Sequence, residues 1–439
     1  MIEAPSAVLA AHDAPAVTRS GRSGRISLRR LQHATLWLFV FAGAYVIIEP
    51  SAYEILFPLA FIVTALAGMR LPMRAMPLII FLTLYNIGGG LALIPYLDDE
   101  KSVTFVLISI YLAITAIYFA ALLTEEGLTR LAVIRSALIW SAWLCGLAGV
   151  LGYFDVAGLG SLFTEYGRAS GTFKDPNVLG PYLVLPIVYI VQSFLERRTG
   201  FIKTLAVLSV PLAALFLTFS RGAWADLVLG LVLLFGLTFV TSPRPAVRLR
   251  VMIYVGACVV ALLALLAVAL SIDEIRQLFE ARATLTQSYD VGATGRFGNQ
   301  LRSTPLLLGD VNGFGPLRFH VHFGADPHNV YINAFASYGW LGGLSYFALI
   351  VATWVVGWRT VLRRGPFQSH AIAVWSALAA MTIQGYQIDT DHWRHFYLML
   401  GLIWGIASAA HLTEPARWTR MPTPGLPRHP ALPPPPSPT

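Results

Sequence analysis

SVTFVLISIYLAITAIYFAALL, residues 102–123, runs for 22 residues without a charged side chain. At 1.5 Å of rise per residue such a helix spans roughly 30 Å, the thickness of a bilayer's hydrocarbon core. The rest of the chain has the same character, since 56% of its 439 residues are hydrophobic and 12% are charged. Ordinary soluble domains carry about twice that share of charge. Working outward from 102–123, the same criterion finds about twelve candidate spans, near 34–49, 52–69, 77–97, 102–123, 131–152, 177–195, 201–219, 223–241, 251–271, 331–357, 369–386 and 394–411. The expected fold class is therefore an all-α, polytopic membrane protein.

The net charge of +8 falls in short clusters between apolar runs, which argues for membrane topology and against nucleic acid as a partner. Arg22, Arg25, Arg29 and Arg30 precede the first span, and Arg70 and Arg74 follow the second. Arg197, Arg198 and Lys203 follow the sixth, Arg244, Arg248 and Arg250 the eighth, and Arg359, Arg363 and Arg364 the tenth. Every even-numbered connection is basic; the one at 124–135 also carries Glu125 and Glu126. Odd connections carry acids such as Asp98, Asp99 and Glu100. The positive-inside rule then puts both termini in the cytoplasm.

Residues 1–30 are polar and read as a disordered basic tail, with no cleavable apolar segment before the first span. A transmembrane domain is expected over 31–412, and 413–439 reads as a second cytoplasmic tail, Pro-rich and extended. The two cysteines, Cys145 and Cys258, lie in apolar runs and suggest neither a disulfide framework nor a thiolate metal site. No internal repeat is visible, which disfavours transporter folds built from paired halves.

Two odd connections are long, 153–176 and 272–330, and any chemistry is expected there. Within the second, Ile272, Ile275, Leu278, Phe279 and Leu285 at helical spacing predict a helix lying on the membrane surface over 272–286. GATGRFGNQL (292–301), LLGDVNGFGPLRF (307–319) and ADPHNVYINAFASYGWLGG (325–343) then mix glycine with Arg and His directly before a span. The first long connection holds GRASGTFKDPNVLGPYL (167–183), and the short turn FSRGAW (219–224) puts Arg221 on the side where cations are disfavoured.

SRGAW at the seventh-to-eighth junction, a GR segment after the ninth span, and PHNVYINAFASYGWLGG leading into the tenth together resemble the O-antigen ligase and oligosaccharide polymerase superfamily. The resemblance covers roughly 30–411, and implies a GT-C-like glycosyltransferase with its large loop, and its site, in the periplasm. It implies as donor an undecaprenyl-diphosphate-linked glycan, and as acceptor another glycan, lipid A core or a protein Ser or Thr. The GTFKDPNVLGPYL stretch tilts the reading toward a polymerase-like member. Carried over residue by residue, the catalytic positions are His328, Arg221 and Arg296, in a reaction needing no metal and no cofactor. Arg168, Lys174 and Arg318 are candidate contacts to phosphate or sugar.

The chemistry requires such groups. A sugar hydroxyl attacking an anomeric carbon must lose its proton, and the departing diphosphate must have its charge held, which planar, permanently charged arginines do well. A histidine near its ordinary pKa can take the proton at neutral pH. Blander readings stand beside these: Arg221 snorkelling to headgroups, Arg296 as a solvated loop charge, and His328 capping the helix that follows. His320 and His322 form an H-x-H pair, but no carboxylate or thiol cluster completes a metal site around them. Asp226 reads as a structural partner for a nearby arginine. Asp389, Asp391, His392, Arg394 and His395 either line the same cavity or form an exposed turn. A lipid-glycan flippase is the competing function, and it would place ionisable groups near mid-span.

Overall fold

The computed structural model describes residues 27–48, 50–270 and 292–412. They form α1 (Leu28–Ala42), α2 (Ala52–Leu66), α3 (Met76–Leu93), α4 (Glu100–Leu122), α5 (Gly127–Tyr153) and the short α6 (Gly160–Phe163). A two-stranded hairpin, β1 (Thr164–Glu165) and β2 (Arg168–Ala169), is followed by α7 (Pro176–Leu195), α8 (Phe201–Leu217), α9 (Arg221–Thr241) and α10 (Pro245–Leu270). Then come α11 (Arg296–Gly309), α12 (Phe319–Phe323), α13 (Val330–Leu362), α14 (Gln368–Gln384) and α15 (Arg394–Leu412).

Each of the twelve predicted segments overlaps a helix, the first of them, 34–49, only as far as Ala42. Among the described residues seven helical stretches are both long and apolar enough to cross a membrane, with Ala52–Leu66 and Phe201–Leu217 apolar but shorter. The chain is thus a multi-pass, all-α membrane protein. Its burial pattern agrees: α13 turns Leu344, Phe347, Val351, Val355, Trp358 and Leu362 outward, an apolar stripe that only lipid would cover favourably. The expected surface helix at 272–286 and most of both tails lie outside the described residues. One boundary shifts, since α1 starts at Leu28, three residues inside the expected tail, where the Ser27 side chain accepts a hydrogen bond from Arg30 N–H and caps it.

The larger departure is in α13. The predicted span 331–357 is not one straight helix, because the chain breaks at Gly339, whose φ of 65° and ψ of −170° are open essentially to glycine alone. In a straight helix Tyr331 and Tyr346 would stand about 22 Å apart; their rings are 6.0 Å apart. A Cβ placed on Gly343 would meet the Phe335 ring at 2.5 Å. Residues 330–338 therefore fold back antiparallel to 340–362 as a helical hairpin, and a side chain at Gly343 would hold the two halves apart. Trp340 N–H, donating to Val311 O at 2.8 Å, ties the hairpin tip to the loop before it.

Helix registers create a step at this end of the bundle. Gly401 packs on Ala116 and Gly405 on Ala120, so the start of α15 lies level with about residue 109 of α4. α4 itself begins nine residues earlier, at Glu100, a rise of about 13 Å. The hairpin repeats the offset, because Val330 lies nine residues below Gly339 and donates its N–H to Gly385 O at 2.9 Å. The turn 385–393 is consequently the floor of this step, with Tyr85 of α3, Phe105 of α4 and Asn333 of α13 packed against it.

Candidate active site

At the floor, the segment carrying His328 is fixed through its backbone. Asn329 N–H donates to Asp389 Oδ1 at 3.1 Å, His328 N–H donates to the same carboxylate, and the Asn329 side chain accepts from Tyr331 and Ile332 N–H to cap residues 330–338. His328 has a φ of 46°, a left-handed conformation that a histidine holds only when its surroundings fix it. Its side chain is half-buried. His328 does stand directly before a cap, and the capping side chain is Asn329's.

Arg221 stands at the start of α9. Phe219 turns the chain through a left-handed φ of 46°, and Ser220 caps α9 by accepting from Ala223 N–H, so Arg221 is the first residue of the helix. A helix start presents N–H groups and positive potential to an anion, and the arginine adds a full charge there. Gly222, the next residue, abuts the Gln384 side chain, with a Cβ at that position only 2.9 Å from Gln384 Nε2. Gln384 precedes Gly385, the anchor of Val330. The beginnings of α9 and of the His328 segment thus converge on the neighbouring residues Gln384 and Gly385.

Arg296 enters through α11. It shares a helix face with Gln300, one turn on, whose Nε2 donates to Pro327 O at 2.8 Å. Asn299 fastens the same helix to Phe323 O at 3.2 Å. The GR segment is thereby joined to the residue preceding His328. Arg168, presented by the β-hairpin, donates from Nε to Thr218 O at 2.6 Å and from its guanidinium to Asn177 Oδ1 at 2.8 Å, tying the start of α7 to the turn before Arg221. Lys174 is exposed at the approach to α7.

Arg318 is not on the floor. Its guanidinium pairs with Asp99 at 2.8 Å and lies 4.4 Å from the Tyr96 ring, high on the wall formed by the α3–α4 connection. The Ser102 hydroxyl, before Lys101 N–H and Arg318, holds the Asp99 carboxyl below its usual range. His320 faces Asp326 at 3.9 Å, and the His322 ring lies 4.5 Å from that of Phe314. Asp226 is buried one turn into α9, and among the described residues neither carboxyl oxygen has a hydrogen-bond partner. Among the described residues no arginine pairs with it, contrary to the expectation from the sequence.

The last turn is more deeply placed than its charge suggested. Asp391 is buried, accepts from Tyr85 Oη at 3.1 Å, and lies 3.4 Å from Asn333 Nδ2 and 3.3 Å from His392 Nδ1. His392 Nε2 lies 3.0 Å from Phe105 O, an acceptor only, so this nitrogen carries a proton. Burial lowers the His392 pKa, yet the charge and hydrogen bond of Asp391 outweigh it and the net shift is upward. Burial, reinforced by Asp391, pushes the Asp389 carboxyl up to about 8. Gln384, which connects the pieces, carries no charge and lies in no quoted motif, and Gln300 and Tyr331, though inside GATGRFGNQL and PHNVYINAFASYGWLGG, are not singled out by them. The chain matches no family model and no curated protein.

Proposed function

We propose that this chain is an inner-membrane glycosyltransferase whose twelve predicted spans all cross the bilayer and whose floor at 385–393 faces the periplasm. It moves a glycan from undecaprenyl diphosphate to an acceptor hydroxyl, as an O-antigen ligase or a polysaccharide polymerase does. One observation supports the reading: Gly222, next to Arg221 at the start of α9, abuts Gln384, and Val330, two residues after His328, is held by Gly385, so the two motifs converge on neighbouring residues. Arg296, joined to the His328 segment through Gln300, adds the second cation.

In this reading Arg221 and Arg296 hold the diphosphate. The acceptor oxygen bonds to the anomeric carbon as the bond from that carbon to the diphosphate oxygen breaks. The bonding pair leaves with the diphosphate, the hydroxyl proton passes to His328, and the sugar's configuration inverts. General-base catalysis supplies typically 10²- to 10⁴-fold. With purified donor and acceptor, His328→Gln is expected to lose activity by about that factor while still binding the lipid diphosphate. Arg221→Lys and Arg296→Lys should recover little, since a lysine lacks the two-pronged donor. A His328→Gln enzyme at wild-type rate would remove the base, and full activity in both lysine variants would remove the clamp.

A further inference from the structure

At the end of the bundle opposite the floor, Arg135 stands two turns inside α5, half-buried. Its guanidinium makes no hydrogen bond or ion pair with any described residue. Ionisable groups inside a span are costly and ordinarily have a partner. Two polar atoms near it are orphaned as well. Tyr189 is fully buried and its Oη has no partner among the described residues, and the same holds for Nδ1 of His370, which is 6% exposed. The two rings lie 6.1 Å apart, edge to face.

Helix registers bring the three together. Tyr182 Oη donates to Ser141 Oγ at 2.8 Å, and α5 and α7 run antiparallel, so six residues back along α5 and seven onward along α7 put Arg135 level with Tyr189. Gln192 Nε2 donates to Ser369 O at 2.5 Å, and the Ser369 hydroxyl donates to the Glu196 carboxylate, which fastens the start of α14, and His370 with it, to the end of α7. The charge of Arg135 reaches both Tyr189 and His370, and that of Arg198 reaches His370 as well. Glu196, the one carboxylate among these groups, is taken by Arg198 at 2.7 Å and by Ser369. What is left is a set of donors with no acceptor: a guanidinium fork, a phenol hydroxyl and an imidazole that can carry its proton on Nδ1.

We infer that Arg135, Tyr189 and His370 form a phosphate site, and that its occupant is the headgroup of an anionic phospholipid in the leaflet at that end, which the positive-inside rule makes the cytoplasmic one. Arg135 supplies a two-pronged contact, Tyr189 and His370 one hydrogen bond each, and Arg198 adds charge at the mouth. No hydrogen bond pins the Arg135 side chain, so it can swing outward and let a phosphate oxygen reach the two inner atoms. The surroundings favour a lipid over a free ion. Phe201 and Ile202, three and four residues after Arg198, are 66% and 81% exposed and offer acyl chains an apolar surface beside the mouth. Basic pockets between helices on the cytoplasmic side bind such headgroups in other membrane proteins.

The full-length protein in detergent micelles is titrated with phosphatidylglycerol, phosphatidylcholine or inorganic phosphate, and binding is read from thermal unfolding and from adducts in native mass spectrometry. The wild type is expected to bind phosphatidylglycerol saturably and to be stabilised by it. Arg135→Gln and Tyr189→Phe should each weaken that binding roughly tenfold, as loss of a hydrogen bond to a charged group does. Arg74→Gln, which removes an exposed cation at the same end, should leave it unchanged. Tyr189→Phe deletes one oxygen that has no partner among the described residues, so it should not lower stability without lipid, and it keeps the test decisive if Arg135→Gln fails to fold. Equal binding of phosphatidylcholine, no loss in Tyr189→Phe, or the same loss in Arg74→Gln overturns the site. Saturable binding of inorganic phosphate in place of the lipid, with the same loss in Tyr189→Phe, upholds the phosphate site and overturns its lipid occupant.

Discussion

At the scale of single residues, Asp389 makes the sharpest claim. Its carboxyl holds the Asn329 and His328 N–H groups, and burial together with Asp391 pushes it up to about 8. A carboxyl raised above its unfolded value, about 3.9, contributes stability that is complete below that value and is lost as pH rises through 8. Heat stability in detergent is therefore expected to fall between pH 5 and 8.5. Asp389→Asn, which keeps one oxygen to accept the backbone N–H, should flatten most of that slope. His392, also raised, leaves a residual slope of the same sign. A slope unchanged by Asp389→Asn would show that this carboxyl does not titrate there. The sequence puts Asp389, Asp391 and His392 in one turn but leaves exposed and buried placements equal. What buries them is the offset of α15 against α4, fixed by Gly401 and Gly405 packing on Ala116 and Ala120 far along the helices. No local pattern around 389 carries that information.

Among elements, the twelve helices were legible because apolar runs of bilayer length need no tertiary context to be recognised. The hairpin in α13 was not, since 331–357 is apolar on both sides of Gly339 and a window of that length averages over the break. The signal lay in one glycine, whose φ the sequence does not state. Close approach of the two halves gives a double-mutant test. Gly343→Ala inserts a methyl group against the Phe335 ring and should destabilise by about 1–3 kcal/mol through overpacking. Phe335→Leu makes room, and the pair should couple by roughly 0.5–3 kcal/mol in thermal unfolding, as residues in contact do. Strict additivity would mean the halves are not in contact.

For the molecule as a whole, sidedness is the claim on which the proposed chemistry depends. In a cysteine-free background, Thr304→Cys on α11 is expected to react with a membrane-impermeant maleimide in intact spheroplasts, and Ser242→Cys, between α9 and α10, only after permeabilisation. The reverse pattern would put the donor on the wrong face and end the glycosyltransferase reading. The candidate site was legible as three separate motifs, whereas their meeting was not, because it runs through Gln300, Gln384 and Gly385, which any soluble loop could contain. The sunken floor has a further consequence, for what the protein must keep out. Two unit charges 4 Å apart attract by about 1 kcal/mol in bulk water but about 4 kcal/mol at an effective dielectric constant of 20. Placed some 13 Å beneath the rim, an arginine grips a phosphate more firmly than the same residue would at the surface. On the glycosyltransferase reading, water thinned by the same burial would compete less well as a nucleophile, and an activated sugar held there would be shielded from hydrolysis until its acceptor arrives.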